Sequence, residues 1–100
     1  MIYSNIKINP NTREVAMNKT VIFLRNKEFT LLEYFIRNAG QVLTRTRIME
    51  EVWDRNICCP TNTIDVHVSK LRKKLDKYSG IKLIKTIHCV GYLFGGDSNY

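Results

Sequence analysis

The side chains able to do chemistry in this 100-residue chain gather in its second half. Residues 62–88 hold seven bases (Lys70, Arg72, Lys73, Lys74, Lys77, Lys82 and Lys85) against Asp65 and Asp76, so most of the formal net charge of +7 lies there. The chemistry such a cluster does is ionic: a concentrated positive field draws a polyanion. A face that only keeps the protein soluble is the competing reading.

Bond-making chemistry has little to stand on. Catalysis needs a nucleophile with a base, paired carboxylates or metal ligands. His67 and His88 have no obvious carboxylate or nucleophile companion, and Glu50 and Glu51 are helix neighbours that point apart. The three cysteines, Cys58, Cys59 and Cys89, cannot all pair internally, and adjacent cysteines rarely bridge. No C-x-x-C spacing supports zinc, and no helix start or assured base activates a thiol. No enzyme activity, metal or cofactor is expected. Two rivals to nucleic-acid binding stand: a protein-interaction module and a thiol sensor. Steep weakening with salt separates phosphate binding from a dry protein interface.

The elements that must position these residues are legible in outline. Ile6 and Ile8 alternate with polar residues, Pro10-Asn11-Thr12 has turn chemistry, Val15 and Met17 alternate again, and Asn18-Lys19 precedes Val21 to Leu24. This is the pattern of an antiparallel β-meander. Residues 27–38 put Phe29, Leu32, Phe35 and Ile36 on one helical face, with Asn26 as a candidate cap and Gly40 as the end. Val42-Leu43 is a short extended piece. Thr44 can cap a second helix that buries Ile48, Val52 and Trp53. Residues 54–60 form a loop closed by Pro60, and a third helix runs from about Thr63 to Tyr78. Two strand-like runs around Cys89-Val90-Gly91 then form a hairpin. The longest aliphatic or aromatic run, Val21 to Leu24, is far too short to span a bilayer, and no signal peptide is evident. A cytoplasmic protein that does not engage a membrane is expected.

At about 100° per residue, Ile64, Val68, Leu71 and Leu75 form the buried stripe of the third helix. Asn62, Val66, Ser69, Lys70 and Lys73 centre on the opposite side, with Arg72 and Lys74 flanking them. An amide, a hydroxyl, a lone valine and two lysines suit a major groove, where bases offer acceptors, paired donor and acceptor sites, and the thymine methyl. Val66 is then a candidate thymine contact. The plainer reading is a singly exposed apolar residue that needs no explanation. The order capped helix, loop, basic helix and basic hairpin is that of a winged helix-turn-helix, whose third helix enters the groove and whose hairpin reaches an adjacent groove or phosphates.

The segments LRNKEFTLLEYF (24–35), VLTRTRIMEEVW (42–53), NTIDVHVSKLRKKL (62–75) and IKTIHCVGYLF (84–94) together resemble the OmpR/PhoB family, the DNA-binding effector domains of bacterial two-component response regulators. They run in family order over essentially the whole chain. The resemblance implies an α+β fold with an N-terminal four-stranded antiparallel sheet, three helices and a C-terminal β-hairpin wing, as one domain over residues 1–100. It implies transcription regulation by sequence-specific binding to double-stranded DNA, head to tail on direct repeats. Family DNA contacts map onto Asn62, Thr63, Val66, His67, Ser69, Lys70 and Arg72, with Thr86 and His88 in the wing, and Lys73 joins them from the angular reading. The loop at 54–61, with Asp54, Arg55 and Asn56, corresponds to the region where activators touch RNA polymerase.

The chain departs from the family in five places. Asn62 and His88 stand where arginine is frequent, and Ser69 where several relatives carry a long basic residue. Cys89 stands at a hairpin-tip position usually held by glycine. Arg25 stands at the usual Thr or Ser cap of the first helix, which shifts the expected cap to Asn26. A family member normally has a receiver domain answering to a sensor kinase. Nothing before Ile2 could supply its aspartate pocket, so the chain is read as an excised effector domain in preference to a stand-alone regulator.

Overall fold

Period-two alternation builds the first layer of the molecule. A computed structural model describes residues 2–3, 6–53, 62–79 and 83–95. Strands β1 (Ile2–Tyr3), β2 (Ile6–Asn9), β3 (Glu14–Met17) and β4 (Thr20–Ile22) form an antiparallel sheet in that order. Ile6, Ile8, Val15, Met17 and Ile22 are buried on its inner face. The β3–β4 turn is Asn18-Lys19, both at positive φ, which matches the twist of a two-residue hairpin. The last strand is shorter than its apolar run suggested. It ends at Ile22, and Phe23 beyond it is 85% exposed.

Helix α1 (Asn26–Arg37) buries Phe29, Leu31, Leu32, Phe35 and Ile36. Asn26, the cap expected from the sequence, is instead the first residue of the helix. Arg25 holds the N-cap position, and Glu28 reaches back to accept its backbone N–H at 3.0 Å. Glu28 thus makes the reciprocal half of a capping box, while arginine offers no acceptor to the first N–H groups of the helix. Arg13 ties the sheet to this helix: its guanidinium donates to Asn26 Oδ1 at 2.6 Å and lies 4.3 Å from the centre of the Phe29 ring. At the other end Gly40 takes a φ of +85° and donates its N–H to Phe94 O at 3.0 Å.

Strand β5 (Val42–Thr44) leads into α2 (Arg45–Val52), where Thr44 Oγ1 caps the helix by accepting the Arg47 N–H at 3.1 Å. Ile48, Val52 and Trp53 are buried as their spacing predicts. Helix α3 (Asn62–Ser79) follows, then the wing strands β6 (Ile84–Ile87) and β7 (Gly91–Phe94). The wing is more than a hairpin. Strand β5 joins it in a second antiparallel sheet of order β5-β7-β6, with Leu43 opposite Tyr92 and Thr44 opposite Gly91. Helix α1 packs on α2, α3 and β7, and the rings of Phe35 and Phe94 stack at 6.0 Å between centres. Among the described residues, the elements that pack against α3 share one core with it.

Candidate nucleic-acid interface

Four apolar residues fix the direction of α3. Ile64, Val68, Leu71 and Leu75 are buried completely or nearly so, and the opposite side is left to solvent. Val66 is 47% exposed, and Ser69, Lys70 and Lys73 are exposed around it. The face derived by angle is therefore the face the fold presents. Asn62 begins the helix. Its side chain lies outside the described residues, as do Asp54, Arg55, Asn56, Lys82, Cys58 and Cys59.

Thr63, His67, Arg72 and Thr86 are held by internal partners. Thr63 and His67 are half-buried, and His67 Nδ1 lies 2.8 Å from Thr63 O one turn back. The His67 ring meets Trp53 edge to face, with 5.1 Å between centres. Trp53 in turn has the Lys27 ammonium 5.6 Å from its ring centre, while Lys27 Nζ donates to Val52 O at 3.1 Å. The end of α2 is thus anchored to the first turns of α3. Arg72, also half-buried, donates from Nη2 to Thr86 Oγ1 at 2.8 Å. That bond brings two of the expected contact residues together, one from the helix and one from the wing.

A three-residue cluster supports this pair, and sequence reading passed over it. The Asp65 carboxylate accepts from Arg45 Nε at 2.9 Å and from the Tyr92 hydroxyl. The guanidinium of Arg45 lies 5.2 Å from the centre of the Tyr92 ring, and that of Arg72 lies 6.0 Å from it. Helix α2, helix α3 and strand β7 meet at one carboxylate. The Tyr92 hydroxyl, ahead of the opposing effect of burial and joined by Arg45, holds Asp65 below the usual carboxylate range. A carboxylate with a depressed folded value stabilises above the ordinary range near pH 4, and that contribution fades as pH falls through the folded value. The D-V-H and G-Y elements were the available signal, but nothing local says that their Asp and Tyr touch.

At the wing tip His88, Cys89 and Val90 are exposed, and Val90 N–H donates to Ile87 O at 3.0 Å to close the turn. Cys89 has a φ of +62°, a backbone region that costs a non-glycine residue about 1–2 kcal/mol. Cys89→Gly is expected to stabilise the domain by about 1 kcal/mol or less, since glycine is itself freer when unfolded. Urea midpoints of the two proteins measure this. An unchanged midpoint would mean that the tip relaxes without cost.

A family profile described as "Transcriptional regulatory protein, C terminal" matches residues 18–94. The chain belongs to that family. It is 44% identical over 90 residues to the transcriptional regulatory protein CusR of Escherichia coli strain K12, a match covering 90% of this chain and 40% of CusR. Among solved structures, the DNA-binding domain of the response regulator AdeR, in complex with an intercistronic region, superposes with a TM-score of 0.88 at 29% identity, over 97% of this chain and all of that one. The Klebsiella pneumoniae RstA DNA-binding domain, in complex with an RstA box, gives 0.80 at 28% identity, over 94% of each chain. The chain is a winged-helix effector domain of the response-regulator type, and it spans about 40% of the length of the first curated relatives it matches. Among the described residues, no helix is long and apolar enough to cross a membrane.

Proposed function

We propose that residues 1–100 form a single effector domain that binds double-stranded DNA sequence-specifically and regulates transcription. Helix α3 enters the major groove, and the wing reaches an adjacent groove or its phosphates. The observation that carries this reading is the outward face of α3, where Val66, Ser69, Lys70 and Lys73 stand exposed together beside a wing bonded to the same helix through Arg72 and Thr86. Lysine and serine offer donors to base acceptors and phosphates, and valine offers contact to a thymine methyl. The AdeR and RstA domains, similar in fold, were solved with an intercistronic region and an RstA box respectively.

Asn62, Thr63, His67 and His88 belong to the same surface in this reading, and Asp54, Arg55 and Asn56 would meet RNA polymerase. Side-by-side binding would follow direct repeats, with a head-to-tail dimer formed on DNA. In a longer cytoplasmic chain, a receiver domain answering to a sensor kinase would control access. The chemistry is recognition, with no catalytic step.

Selection of bound duplexes from a random pool near physiological salt tests the reading. A motif repeated about one helical turn apart is expected. On the selected site, Lys70→Ala should weaken binding to all sequences alike and lower the salt slope by about one. Val66→Ala should relax preference at one base pair, at a cost of about 1–3 kcal/mol or less. Uniform loss from Val66→Ala would sink the thymine contact, and absence of any motif would sink sequence-specific recognition.

A further inference from the structure

Between the start of α1 and one flank of α3 lies an open concavity of about 320 Å³ lined by Arg25, Glu28, Lys70, Lys73 and Lys74. Four cations face one carboxylate there. Lys74 is already engaged, its Nζ 2.6 Å from Oε1 of the buried Glu28, so the only negative charge of the lining is matched. Arg25, Lys70 and Lys73 remain exposed around it. Arg25 does no capping with its side chain, because a guanidinium has no acceptor for the first N–H groups of the helix. Its guanidinium is therefore available at the rim. Gathering three like charges disfavours the fold through their mutual repulsion, and an anion seated among them would relieve it.

We propose that this concavity seats a backbone phosphate of the DNA whose major groove α3 reads, with the Arg25 guanidinium as principal ligand and Lys70 and Lys73 beside it. The proposal rests on the groove-binding reading above and extends its footprint to the β4–α1 junction. All five residues that line it are charged and four are cations, a lining whose charge complements a phosphoryl group. Lys70 and Lys73 belong to the outward face of α3, so a strand passing that flank brings its phosphates to them. A planar guanidinium can meet two phosphate oxygens at once.

The test uses Arg25→Gln, which keeps the capping N–H, on the duplex selected from the random pool. A thermal melt confirms that the variant folds as the wild type does. Affinity should fall about 3- to 10-fold near 0.15 M salt, equally on cognate and unrelated duplexes, and the salt slope should drop by about one. A scan of single neutral methylphosphonates should find a flanking position that weakens the wild type and leaves Arg25→Gln unaffected.

An unchanged slope, with no backbone position coupled to Arg25 while the motif still binds, overturns the phosphate seat and leaves groove reading intact. Inorganic phosphate that shifts the Arg25 guanidinium NMR signal, without any coupled methylphosphonate position, overturns DNA as the source in favour of a free anion. Failure of the wild type to bind any duplex overturns both readings.

Discussion

Gly91→Ala is expected to unfold or nearly unfold the domain, although it adds one methyl group. A Cβ at residue 91 would lie 2.0 Å from Leu43 O and 2.9 Å from Thr44 Cα. Those atoms are backbone of β5, whose Thr44 pairs with Gly91, so no side-chain rotation relieves the clash. The strands would have to part, which breaks the sheet holding Leu43, Tyr92 and Phe94 in the core. A cost of about 4 kcal/mol or more is expected, against a total stability of roughly 5–15 kcal/mol for a domain. Calorimetry should show the melting midpoint lowered by about 15 °C or more. A drop of only a few degrees would mean that β5 moves aside cheaply. In a partly folded variant Tyr92 leaves Asp65, so DNA affinity should fall with stability.

Much of α3 could be read in advance because its information is local. Four apolar residues at helical spacing fix the core direction, and every other residue then has a computable bearing. The Asn18-Lys19 turn and the Thr44 cap were legible for the same reason: each depends on residues within a few positions. The partner of Val42–Thr44 was not legible. A three-residue strand carries no signal for a strand far along the chain, so the glycine of the G-Y-L-F run had no visible purpose. The Arg45, Asp65 and Tyr92 cluster also comes from three distant segments. Arg25 misled in a different way: an arginine cannot cap, so the start of α1 was shifted to Asn26. The Glu28 that accepts the Arg25 N–H was present in the sequence, three residues on, where a capping box would have it.

Lys74→Met is expected to cost about 3 kcal/mol and to weaken the acid response that Glu28 gives the domain. Glu28 is only 1% exposed, and its Oε1 accepts both Lys74 Nζ at 2.6 Å and the Arg25 N–H at 3.0 Å. Burial pushes its carboxyl upward, but the Lys74 and Arg25 interactions together outweigh burial and hold it below the ordinary range. The pair therefore stabilises above about pH 4.5, and the contribution is lost as pH falls through the lower folded value. Without Lys74, burial is opposed by Arg25 alone, so the folded value is expected to move upward. The share of stability that Glu28 loses on acidification should therefore be smaller in the variant than in the wild type. Removing one partner of a buried pair costs about 3–5 kcal/mol, and the partial exposure of Lys74 argues for the lower end. Urea midpoints at several pH values test both effects. Adding Glu28→Gln should restore most of the loss, since a neutral amide oxygen can still accept the Arg25 N–H. A cost under about 1 kcal/mol with the wild-type pH slope would mean that the pair behaves as a solvated surface bridge. Lys74 and Arg72 flank the exposed face of α3 on opposite sides, one bonded to α1 and the other to the wing. Ile64, Val68, Leu71 and Leu75 still fix the direction of α3 without Lys74, so Lys74→Met should lower stability and leave base preference unchanged.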